Sequence, residues 1–194
     1  MKRIIALLLA VLSLFAFVAC KQDDPTDDLA PFKAALGSAP VSATVTSKIE
    51  NASLTLEGEY NVTYTDGVAS VTFTNEVLVA IPDSGSASAE TETVSGSATV
   101  NADGTVSAGA IGANYAALIA RKITLDKSKM SACSVSGQVL VATISADNAT
   151  ALTAGYATID VTLNVTVSDG KLMGISISYG TASGTVSIVC DYRY

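Results

Sequence analysis

The chain has 194 residues, a formal charge of -7 and no histidine. With 11 basic against 18 acidic residues and no basic stripe interleaved with aromatics, a nucleic-acid partner is disfavoured. The lack of histidine removes the usual general base and the commonest metal ligand, so neither an enzyme nor a cofactor is expected.

Lys2 and Arg3 precede an apolar run from Ile4 to Val18, interrupted only by Ser13 and followed by Ala19 and Cys20. A charged start, about 15 apolar residues and a small residue before a cut are what an export signal needs, and the run is too short to span a bilayer comfortably. Phe17, Val18, Ala19 and Cys20 resemble the lipobox of bacterial lipoproteins, with phenylalanine where leucine is usual. The resemblance implies that residues 1–19 leave as a signal peptide and that the Cys20 thiol receives diacylglycerol. The partner it implies is a bacterial membrane, which holds the chain on its extracytoplasmic side through two or more acyl chains. An ordinary signal cut at Ala19, leaving Cys20 as a thiol, is the alternative. Residues 20–28 hold four aspartates and nothing to bury, so they read as an acidic tether. Residues 29–194 read as a single β-rich domain.

The first predicted element is a short helix capped by Asp27 or Asp28, running through Leu29, Phe32, Lys33 and Leu36 and stopped by Gly37. From Val41 onward the pattern alternates with period two, as in strands with one face buried. Leu54, Leu56, Tyr60, Val62 and Tyr64 point one way, Val71 and Phe73 begin the next strand, and Asp66-Gly67 supplies the turn between them. The stretch from Asp83 to Glu92 reads as a loop. Asp103-Gly104 marks another turn, and Ala113 to Lys122 a second helix with Tyr115, Leu118 and Ile119 on its apolar face. Ile159, Val161, Leu163, Val165 and Val167 alternate inward before the Asp169-Gly170 turn, and Ile175, Ile177, Val186 and Ile188 supply the last strands. Strict alternation argues for antiparallel pairing of consecutive strands, with the helices covering the apolar face.

This order of lipobox, tether, helix, strand meander, interrupting helix and closing strands resembles the envelope lipid-carrier lipoproteins, both the lipoprotein carrier of Gram-negative periplasm and the mycobacterial lipoglycan-binding type. The run from Tyr156 through Asp169, Gly170, Leu172, Ile175, Ile177 and Tyr179 to Tyr192 is similar to their last three strands. The resemblance implies a mainly β fold: a curved antiparallel sheet, an incomplete barrel, with one or two short covering helices. It also implies a membrane-anchored protein that sequesters a lipid or other hydrophobic ligand. The lining would be Leu54, Leu56, Val62, Phe73, Val161, Leu163, Ile175 and Ile177. Any sheet protein would use these same residues as solid core. The alternative is therefore an immunoglobulin-like structural or adhesive surface module with no ligand.

With Cys20 given to lipid, Cys133 and Cys190 are left as one candidate disulfide or as two buried thiols. Cys133 is in phase with Val135, Val139 and Val141, and Cys190 with Val186 and Ile188, so both are expected on the apolar side. Glu57 and Glu59 form the one carboxylate pair worth weighing for hydrolysis, but they share a polar strand face whose simplest role is solubility.

Overall fold

A computed structural model of the chain describes residues 27–80 and 89–194. The signal peptide, Cys20 and the tether as far as residue 26 lie outside the described residues, as does the predicted loop from Asp83 to residue 88. Ten strands follow one another: β1 (Ser42–Glu50), β2 (Thr55–Thr65), β3 (Val68–Ala80), β4 (Ala89–Val100), β5 (Val106–Gly109), β6 (Met130–Ser136), β7 (Val139–Ile144), β8 (Val161–Ser168), β9 (Lys171–Thr181) and β10 (Gly184–Arg193). Helix α1 (Ala30–Leu36) precedes them, and between them lie α2 (Ala113–Ile119) and a helical turn, α3 (Thr150–Thr153). All ten strands form one antiparallel sheet in the order β5-β4-β3-β2-β1-β10-β9-β8-β7-β6. Each strand thus pairs with its neighbour in sequence, except that the first and last strands meet in the middle. β5 and β6 are left as unpaired edges, which makes the sheet an incomplete barrel.

The turns follow their residue chemistry. Asp66-Gly67 and Asp169-Gly170 each place two consecutive residues at positive φ, as a two-residue hairpin requires. Three expectations are corrected. Residues from Ala89 to Glu92 belong to β4, paired with β3, because the Ser-, Thr- and Glu-rich stretch alternates and has a long partner strand to pair with. Ile159 is 60% exposed, since β8 begins only at Val161. Val139 and Val141 face outward, because the turn at Gly137 and Gln138 pairs Ser136 with Val139 and Cys133 with Ala142. That register puts Leu140, Ala142 and Ile144 on the buried side instead. Cys133 and Cys190 are both buried, as thiols rather than as a bridge. They sit on β6 and β10, which have β7, β8 and β9 between them in the sheet.

The buried face of the sheet wraps the helices, and one continuous core runs from Val45, Val62 and Val71 through Leu29, Phe32, Leu118 and Ile119 to Leu140, Leu163 and Ile177. Helix α1 packs on β8 and β9, with Phe32 and Ala35 buried. Its N-cap is Leu29, without a side-chain cap, and not Asp27 or Asp28 as expected; Asp27 instead accepts from the Leu29 N–H at 3.1 Å, and Pro31 sits in the first turn. Gly37 ends the helix in ordinary right-handed geometry, so its stop comes from Ser38 and not from a left-handed glycine. The Ser38 hydroxyl donates to the Ala35 carbonyl at 2.6 Å and also bonds the Tyr194 hydroxyl, while Arg121 Nη1 donates to the Ser38 carbonyl at 2.7 Å.

Helix α2 ends two residues before Arg121, which adopts a left-handed φ of 58°. Its terminal carbonyls are capped from the sheet: Tyr192 donates to the Leu118 carbonyl at 2.6 Å and Tyr64 to the Ile119 carbonyl at 2.8 Å. The Leu118 carbonyl also accepts from the Arg121 N–H at 2.9 Å. Losing the two hydroxyls should therefore have unequal effects. Tyr192→Phe is expected to cost about 0.5–1.5 kcal/mol, an ordinary hydrogen bond, and Tyr64→Phe about 1–3 kcal/mol because a carbonyl loses its hydroxyl donor. Urea midpoints of the two variants check this, and equal losses would show that the two caps are equivalent.

Candidate functional site

The distal half of β1–β4 carries two surfaces back to back. On the core side, Tyr60 pairs across strands with Phe73 and Phe73 with Gly96, while Ile49 pairs with Leu56. The Tyr60 ring stacks on Tyr115 of α2 at 4.6 Å and tilts against Phe73 at 5.5 Å. Gly96 permits this, because a Cβ there would lie 2.5 Å from the Phe73 ring. Beyond Tyr115 the helices no longer cover the sheet, and the apolar face continues through the half-buried Leu54, Leu56 and Phe73 to Ile49 and Val94, which are 37% and 42% exposed. Two polar side chains, Ser47 and Asn75, flank Gly58 at this end. Asn75 donates through Nδ2 to the Tyr60 hydroxyl at 2.9 Å, whereas its Oδ1 is buried without a hydrogen-bond partner in the chain.

The eight residues expected to line a cavity are thus divided. Val62, Val161, Leu163, Ile175 and Ile177 lie in the closed core against the helices, and Leu54, Leu56 and Phe73 lie at its open end. Sequence alternation places all eight on one face but carries no information about how far along that face a helix reaches. Ile49 and Val94 belong to the same end and went unnoticed. Ile49 is separated from the recognised alternation by a mixed Ser-Lys stretch, and Val94 sits among serines, threonines and glutamates.

On the opposite face, the same strands and β10 form a groove of about 960 Å3. Thr46 and Lys48 line it from β1, Glu57, Glu59 and Asn61 from β2, and Thr72, Thr74 and Glu76 from β3. These alternate with core residues, so most of the lining side chains are polar, with Phe73 and Val189 as apolar members. Its side chains bond mainly to one another. Asn61 Nδ2 donates to Glu59 Oε1 at 3.0 Å, the Glu57 N–H donates to Glu76 Oε2 at 2.9 Å, and the Thr74 and Ser95 hydroxyls lie 3.3 Å apart. Glu57 and Glu59 therefore share this groove, as their strand spacing predicts, Glu59 engaged through its carboxylate and Glu57 through its backbone N–H. A second cleft, beside Met130, Ile144 and Leu152, holds only about 120 Å3, below the range of ordinary ligand sites. Among the described residues, no three side chains of metal-binding type come together, and no helix is long and apolar enough to cross a membrane.

The fold and these surfaces define a mainly β, single-sheet module with an unclosed seam and an apolar end open to solvent. No family model matches the chain, and no curated protein is similar to it. Among solved structures it is similar to the crystal structure of Rv2717c from M. tuberculosis, at 11% identity and a TM-score of 0.29, over 88% of this chain and 100% of that one.

Proposed function

We propose that the protein is a lipid-anchored, extracytoplasmic module of a bacterial envelope that shelters a hydrophobic ligand, such as an acyl chain, at the open end of its sheet. The observation that carries the reading is the continuation of the apolar face past α2 to Ile49, Leu54, Leu56, Phe73 and Val94. Each methylene withdrawn from water there contributes about 0.8 kcal/mol, so an alkyl chain needs no elaborate polar recognition. The Asn75 Oδ1 acceptor supports a ligand that also carries one hydroxyl or protonated carboxyl, since a buried acceptor without a partner costs free energy until it is met. No catalytic step is assigned to it, in keeping with a chain that lacks histidine.

Purified protein extracted with organic solvent and examined by mass spectrometry should yield a lipid, and the stripped protein should take up a fluorescent fatty acid. Leu56→Asp should abolish that uptake while leaving the fold intact, because Leu56 is only half-buried. No co-purifying lipid and no uptake would refute the carrier reading. They would favour a solid-core structural or adhesive module, a reading supported by the way Leu29, Phe32, Leu118 and Ile119 fill the deep interior. The anchor has its own test. Cys20→Ser should move the protein from the detergent phase to the aqueous phase in cloud-point partitioning, and a variant that stays in the detergent phase would exclude lipidation at Cys20.

A further inference from the structure

The two ends of the strands differ. At one end, where β1 and β3 finish and β2, β4 and β8 begin, the apolar face stays open, and Ile49, Leu78, Val94, Tyr156 and Ile159 are all exposed there. At the other end the interior is shut by the bonds among Ser38, Arg121 and Tyr194 and by the Tyr64 and Tyr192 hydroxyls on α2. The start of β6 belongs to the open end. A cross-strand row runs without a break from Ala132 on β6 through Thr162 on β8 and Ser187 on β10 to Lys48 on β1 and Glu57 on β2. Met130 stands beyond that row in the same direction as Ile49 and Leu56.

The chain enters the domain at this end. Leu29 is fully buried, and Asp28 before it is ion-paired at 2.6 Å with Lys127, three residues ahead of Met130. Asp27 bonds the Leu29 N–H and Lys33, the latter at 2.8 Å. Exposed ion pairs contribute little stability, so the burial of Leu29 is what fixes the point of entry. From Asp27 back to Cys20 the chain reaches at most about 25 Å. A strand of eleven residues such as β9 is longer, about 36 Å. An anchor at Cys20 is therefore too close to let the shut end turn to the bilayer.

We propose that the open apolar end faces the bilayer that holds the anchor, so that a hydrophobic ligand passes between that bilayer and the sheet over a short path. The inference rests on the lipid-anchored reading above and adds the partner of its open end, which is a lipid surface. The reach of the tether selects this partner, because it holds the exposed apolar rim beside a bilayer and nothing else. The charges at the rim select the headgroup. Glu57, Glu76, Glu90 and Glu92 stand at this end, Lys48 is paired with Glu50 at 3.1 Å, and Lys127 is paired with Asp28. An anionic surface is repelled by such a rim, and a zwitterionic one fits it.

Lipidated full-length protein in phosphatidylcholine vesicles with a fluorescence acceptor on the headgroups tests the orientation. Leu78→Cys and Val68→Cys place one donor dye at either end of β3, about 33 Å apart. Both sites are exposed, while Cys133 and Cys190 are buried and so spared by the dye. Energy transfer should be several-fold more efficient from the dye at position 78, and this contrast should shrink in vesicles rich in phosphatidylglycerol. Flotation of the vesicles reports the anchor separately. A chain that does not float overturns the anchor and the orientation together, whereas one that floats and gives equal or reversed transfer overturns the orientation alone. A contrast that is as large on phosphatidylglycerol overturns the assignment of the headgroup.

Discussion

Phe32→Ala is expected to remove about 3–5 kcal/mol of stability, enough to leave a domain of ordinary stability close to its unfolding threshold. Phe32 is 1% exposed on a helix of only seven residues, too short to persist without the sheet it packs on. Its ring is the largest side chain that α1 inserts beneath β8 and β9. The bonds that tie the end of α1 to the sheet, through Ser38, Tyr194 and Arg121, place the surrounding backbone firmly, so the space left by the ring would collapse only in part. Urea unfolding followed by circular dichroism measures the loss. A change below about 1 kcal/mol would mean that the helix is a dispensable cover and not part of the core.

A second large effect is expected at alkaline pH. Burial pushes the Cys190 thiol up to about 12 from an ordinary value of 9.0, with the Tyr192 hydrogen bond acting weakly in the opposite direction. Burial likewise raises Tyr60, Tyr64, Tyr179 and Tyr192 above the usual tyrosine value of 10.0. For each of these groups the folded state holds its proton more tightly than the unfolded chain does. The contribution is thus fully present below about pH 9 and is lost as pH rises through about 12. Urea midpoints should be flat from neutral pH to about 9 and then fall steeply, with the tyrosinate absorbance of Tyr60, Tyr64, Tyr179 and Tyr192 appearing together with unfolding and not before it. Tyrosinate formation at all seven tyrosines in a protein that stays folded at pH 11 would contradict the buried tyrosine cluster.

At the acid end the dependence has the opposite sign and is weaker. Asp27, Asp103 and Asp126 are held below the usual 3.8, chiefly by hydrogen bonds from Lys33, Thr105 and Ser128 respectively. Their contribution is present above that value and disappears as pH falls through their lowered values. Asp27 and Asp103 are exposed and Asp126 is half-buried at the surface, so solvent screening keeps the effect small.

Much of the sheet is legible in the residues themselves. The alternation from Leu56 to Tyr64 and from Val161 to Val167 appears directly as the burial of β2 and β8, and the Asp-Gly pairs mark hairpins because they tolerate positive φ. The helices are legible for a different reason: Leu29 and Phe32, and likewise Tyr115 and Leu118, break the period of two with a spacing of three. What fails is phase across short turns. Nothing in Ser136-Gly137-Gln138-Val139 indicates that the turn takes two residues, and one residue either way exchanges the two faces of β7. The candidate sites were less visible still. The groove draws on β10, β1, β2, β3 and β4, and its shape depends on how those strands curve together. Alternation marks Glu57 and Glu59 as outward, but says nothing of the concavity they help to form.

The meeting of β1 and β10 in the middle of the sheet has a consequence for the order of assembly. Until the final strand has left the ribosome, the chain can make only two separate ribbons, β1 to β5 and β6 to β9, with no backbone pairing between them. The residues from Gly184 to Arg193 act as the zip that joins them, pairing on one side with a strand made almost at the start of the domain. A contact spanning nearly the whole domain makes for slow completion. Two half-sheets would thus wait side by side for that last stretch, and the shared interior could close only when it arrives.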